Sequence, residues 1–103
     1  MLTHPQRVQN LENLRQYITE ILSHHDQLQV GAFRLTERTL VRRGQRCGMF
    51  FCLHGPREVK FTAVWETDHN TILFYGPSGQ RFHKTQLPQR VELELETMVP
   101  ATI

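Results

Sequence analysis

The spacing of apolar residues changes once along this chain, at Gly31, and that change limits the folds open to it. Before it, Val8, Leu11, Leu14, Ile18, Ile21 and Leu22 recur every three or four residues, which gathers them on one face of a helix. After it, the period falls to two. In VKFTAVWE, Val59, Phe61, Ala63 and Trp65 point one way while Lys60, Thr62, Val64 and Glu66 point the other, as in a strand with one buried face.

The helical pattern predicts a helix from about Pro5 to about His25. Thr3 would cap it, with Pro5 in the first turn and Gln6 three residues after the cap. Glu12, Asn13, Arg15 and Glu20 fall mainly on its polar face. Beyond Gly31, strands are predicted in FRLTERTLV, RCGMFFCLH, VKFTAVWE, TILFY and QRFHKTQ, separated by RRGQ, GPRE, TDHN and GPSG. A sixth strand is predicted in RVELELE, with Val91, Leu93 and Leu95 opposite Glu92, Glu94 and Glu96. Connections this short make sequence neighbours pair antiparallel. The expected fold is α+β: an N-terminal amphipathic helix followed by a five- or six-stranded antiparallel meander, from about residue 33 to about residue 96. Strong twist would roll the sheet into a partly open barrel. All 103 residues are read as one domain, and 39% apolar with 21% charged residues suits a packed core rather than a disordered chain.

RCGMFFCLH holds both cysteines. Cys47 and Cys52 are five residues apart, so a regular strand puts them on opposite faces, where they cannot share one ion. Both faces of the segment are apolar, which predicts a central strand covered on both sides with structural thiols. Gly48 marks a bulge, a close backbone approach or space for Trp65. The N-terminal run MLTHPQRVQNLEN lacks a charged-then-apolar signal pattern, and no apolar run could span a membrane. The expectation is a cytoplasmic chain with reduced cysteines, no metal and no cofactor.

Candidate chemistry is thin. In SHHD the adjacent His24 and His25 diverge around the helix, and a solvated helix end is the simpler reading. Glu66, Asp68 and His69 meet in ETDHN, where Asp and Asn are also ordinary turn residues. With Cys52 and His54, they are the only groups an enzyme reading could use. GPSG lacks the lysine and following helix of a phosphate loop. Trp65, Phe61, Phe74, Tyr75 and Phe82 form either core pairs or a base-stacking platform.

Charge distribution says more. From Arg34 to Lys60 there are seven of the twelve basic residues, against only Glu37 and Glu58, whereas the tail after Arg90 carries only glutamates. Arg42, Arg43 and Arg46 crowd one hairpin end beside Arg38, and arginine suits phosphate and carboxylate. These four are the candidate anion or nucleic-acid contacts. The competing readings are a solvated edge that discourages strand addition and a basic edge that meets the acidic tail within or between chains.

The segments LTERTLVR, CGMFFCLHGPR, VWE and ILFYG, between Gly31 and Leu87, resemble a family of small bacterial proteins of the planctomycete type. That resemblance implies a structural unit over this stretch and no particular activity. Three function classes follow, in order: a non-catalytic structural or protein-interaction module, with an unknown protein partner or self-association; a nucleic-acid-binding module using the Arg38–Arg46 hairpin; and an enzyme. No membrane partner is expected.

Overall fold

A computed structural model of the chain describes residues 3–93. Among these residues the one α-helix, α1, spans Leu11–His25 and begins later than the sequence pattern suggests. Pro5–Arg7 forms a separate 3-10 turn capped by the His4 ring, and the chain then extends through Val8. Asn10 is the true N-cap. Its side chain accepts the Asn13 N–H at 2.8 Å, while the Asn13 side chain accepts the Gln9 N–H at 3.2 Å. Two backbone donors are thereby satisfied by a reciprocal cap, which fixes the helix start more firmly than a proline turn does. At the other end Gln27 takes a positive φ of 57°. The N–H groups of Leu28 and Gln27 return to the carbonyls of Ser23 and His24, closing the helix in a Schellman motif.

Five antiparallel strands follow in meander order: β1 (Arg34–Arg42), β2 (Gln45–His54), β3 (Lys60–Glu66), β4 (Thr71–Tyr75) and β5 (Arg81–Gln86). Arg43 and Gly44 both have positive φ, so the β1–β2 turn is the tight type whose twist matches the flanking strands. The sheet stays open, with β1 and β5 as its edges, and does not roll into a barrel. Within the described residues, the chain after β5 adds no sixth strand. Glu92 makes one isolated parallel bridge to Asn10, because the N–H of Leu11 and the carbonyl of Gln9 at the helix start take up its backbone groups. Residues 94–96 of the expected strand lie outside the described residues. No described helix is long and apolar enough to cross a membrane.

The core is the helix pressed on one face of the sheet. Leu11, Leu14, Ile18 and Leu22 meet Met49, Phe51 and Leu53 of β2, Phe61, Ala63 and Trp65 of β3, and Ile72 and Phe74 of β4, with Leu87 and Val91 closing one end. Alternation in β3 falls as the sequence indicates. Tyr17, also buried, shares a 2.8 Å hydroxyl–hydroxyl hydrogen bond with Thr85 of β5.

Glu20 departs from expectation: it is buried, not solvated. Thr3, which does not cap the helix, supplies the reason. Its backbone N–H and its hydroxyl both donate to the Glu20 carboxylate, and the Gln16 amide adds a third bond at 2.6 Å. Burial alone would push the Glu20 carboxyl up, but these donors outweigh it and leave it below the ordinary carboxylate range. A folded pKa below the unfolded one contributes stability that is complete above the unfolded value and is lost as pH falls through the folded value. Glu20→Gln is therefore expected to lower stability by about 1–2 kcal/mol at neutral pH. Urea unfolding of the variant at neutral and acid pH should also show a weaker acid dependence than the native chain; an unchanged acid dependence would mean the carboxylate is solvated.

Candidate functional site

Among the described residues there are one α-helix and five strands, so helix covers only one face of the sheet there. Register identifies what lies on the other. Arg38 of β1 pairs with Phe50 of β2, Phe50 with Val64 of β3, Val64 with Leu73 of β4, and Leu73 with Lys84 of β5. Directly paired residues share a face, so these five form one row across the whole sheet: three apolar side chains between two cations. The next row runs Thr36, Cys52, Thr62, Tyr75, Arg81, and the one beyond it Arg34, His54, Lys60. Phe50, Val64, Leu73 and Tyr75 are half-buried and take no part in the hydrophobic core. The expected burial of β2 on both sides holds for Gly48 and Cys52, which are buried on this outer face, while Phe50 and His54 are half-buried. It is an interior strand, and among the described residues no helix lies over its second face.

Charge on this face is one-sided. Among the described residues Arg34, Arg38, Lys60, Lys84 and Arg81, the last paired with Tyr75, lie on it with Glu66 as the one acid, since Glu37 points to the helix side and is held there by Arg15 through two 2.7 Å bonds. The Arg38 guanidinium carbon sits 5.0 Å from the centre of the Phe50 ring, a cation over an aromatic face. The His54 ring shares a 2.9 Å hydrogen bond with the Thr36 hydroxyl. Desolvation, then the nearby Arg34 guanidinium and Lys60 ammonium, hold His54 below the usual imidazole range.

Cys47 and Cys52 are both free, Cys47 half-buried and Cys52 buried. Cys47 is the extra residue of a β-bulge: Leu40 pairs with Gly48 and Val41 with Arg46, which leaves Cys47 unopposed. Its carbonyl accepts both the N–H and the hydroxyl of Thr67. Burial pushes the Cys52 thiol up, against a weaker downward pull from Lys60 and Arg34. A protonated, buried thiol is a poor nucleophile. Native-state labelling of Cys52 at neutral pH should therefore be about tenfold or more slower than labelling in urea. Equal rates would mean an open, reactive thiol.

The four hairpin arginines separate. All are exposed, but Arg38 lies on the outer face against Phe50, Arg42 ends β1 and Arg43 forms the turn. Arg46 lines a cleft of about 690 Å³ with Trp65, Thr67, Asn70 and the segment Pro88–Leu93. Glu66 ends β3 and Asp68 and His69 lie on the β3–β4 turn, where His69 Nδ1 is 3.4 Å from the Glu66 carboxylate and both side chains are exposed. Neither that group nor the Cys52/His54 pair lines the cleft. His24 and His25 are exposed at the helix end, with His25 stacked on Phe82 at 3.7 Å. Among the described residues no three His, Cys, Asp or Glu side chains come together.

The chain matches no known family model, no curated protein and no solved structure. Its own residues therefore carry the functional argument. Of the aromatic residues, Trp65, Phe61 and Phe74 belong to the core and Tyr75 to the outer face. The sequence reading overlooked Phe50, Val64 and Leu73. The signal was available: hairpin pairing of the alternating strands puts all three in one row, and one helix leaves one face uncovered.

Proposed function

We propose that this chain is a non-catalytic protein-interaction module that holds its partner on the open face of the sheet. The observation that carries the reading is the row Phe50, Val64, Leu73, which lies outside the core on a face that no described element covers. Contiguous apolar surface rimmed by polar groups is characteristic of interaction sites. The cytoplasmic location expected from the sequence and the likeness to small bacterial proteins belong to the same proposal.

The test is peptide selection from a random display library on the immobilised protein. Selected peptides should bind about tenfold more weakly, a difference of about 1.4 kcal/mol, when Val64→Lys or Leu73→Lys is introduced. They should be unaffected by Val41→Lys, at the exposed hairpin end. Thermal melts matching the native chain would show that the variants remain folded. No enrichment, or peptides indifferent to both face substitutions, would overturn the reading.

A further inference from the structure

We infer that the partner is an acidic amphipathic helix laid across the strands, an inference that rests on the sheet-face reading above. Three properties of the face select this occupant. The first is backbone chemistry. A segment that lies on a sheet face, unlike one added at an edge, finds no backbone partners there, so it must satisfy its own N–H and C=O groups. A helix does so along its whole length.

The second is dimension. Phe50 to Leu73 crosses two strand spacings, about 10 Å. Positions i and i+7 of a helix are about 10.5 Å apart, so an i, i+3/i+4, i+7 stripe overlies this row. The third is charge. Arg38 and Lys84 stand at the two ends of the apolar row, with Arg34 and Lys60 along one side. Among the described residues these four form no ion pair, and Glu66 is the only acid on the face. Carboxylates flanking an apolar stripe match that rim and are steered to it. A single-stranded nucleic acid fits less well. Stacking needs a run of open rings, whereas Phe50 is covered by Arg38 and its neighbours in the row are aliphatic.

The experiment compares three display libraries that share an apolar i, i+3/i+4, i+7 stripe in a helix-forming frame. The intervening positions are rich in Asp and Glu in one, neutral in the second, and rich in Lys and Arg in the third. Enrichment is expected from the acidic library alone. Binding of its selected peptides should weaken about tenfold with Arg38→Glu combined with Lys84→Glu, and should weaken as salt rises from about 50 to about 500 mM. The bound peptides should gain helical circular dichroism. Selection of neutral or basic peptides on the same face would overturn the inference and leave the interaction-module reading intact. Tighter binding of mixed-sequence single-stranded oligonucleotides than of the best acidic peptide would also overturn it, by giving the face to nucleic acid. Failure of every library to bind the face would overturn both.

Discussion

Trp65→Ala is expected to lower the free energy of unfolding by about 3–5 kcal/mol, the range for a large aromatic removed from a packed core. Trp65 is only 3% exposed and sits on the inner face of β3 against the helix. It also anchors a connection. Its indole N–H donates to the Asn70 side-chain oxygen at 2.9 Å, and the Asn70 amide in turn donates to the Gln89 carbonyl. Asn70 itself takes a positive φ of 52° and its carbonyl accepts the Leu87 N–H. One turn residue thus joins β3, the β3–β4 turn and the chain that closes the core after β5. Truncation removes the ring and leaves a half-buried acceptor without its donor, so cavity and polar terms add. Trp65→Phe keeps most of the volume and should cost about 1–2 kcal/mol. Urea unfolding of the two variants separates the terms. A loss below about 1 kcal/mol for the alanine variant would place Trp65 in solvent.

Gly48→Ala should destabilise the fold by about 3 kcal/mol, the upper end for added core volume. Its backbone φ is not positive, so conformational freedom is not the reason glycine stands there. The reason is space: a Cβ at Gly48 would collide with the carbonyl oxygen of Trp65 on the neighbouring strand. That obstacle is backbone, and it cannot turn aside as a flexible side chain could. The bulge at Cys47 lies immediately beside this close approach. Gly79→Ala is the contrast, since the site there is open and only the positive φ of 84° resists substitution. It should cost about 1 kcal/mol. Equal, small losses at both positions would mean that the strands move apart freely at the bulge.

Much of this architecture was legible because period is a physical property of each element. The 3.6-residue spacing from Leu11 to Leu22 and the alternation in VKFTAVWE each correspond to a buried face, and five of the predicted strands are present in order. The helix start was misplaced because Pro5 and Thr3 resemble a helix beginning, while the decisive group was the Asn10 side chain. Glu20 was misread for the same reason: a helix wheel cannot anticipate a chain that folds back to supply donors from Thr3. The sheet face was hidden by β2 itself. Phe50 and Phe51 are adjacent and chemically alike, yet one lies in the core and the other outside it. Local sequence treats both faces of such a strand as buried. Only the supply of covering elements, one helix for two faces, tells them apart. The excess of arginine was visible, but its grouping by face required the register that brings Arg34 and Arg38 alongside Lys60.

The most direct measurement of the central claim is a methyl-resolved NMR titration of the full chain with a peptide selected from the acidic library. Val64 and Leu73 report on the outer face; Leu53 of β2 and Ile72 of β4, turned toward the helix, report on the core. Shift changes concentrated at Val64 and Leu73, with Leu53 and Ile72 little moved and α1 unperturbed, are the expected result. Changes centred on α1 or on the cleft between Trp65 and Leu93, with Val64 and Leu73 silent, would contradict the account.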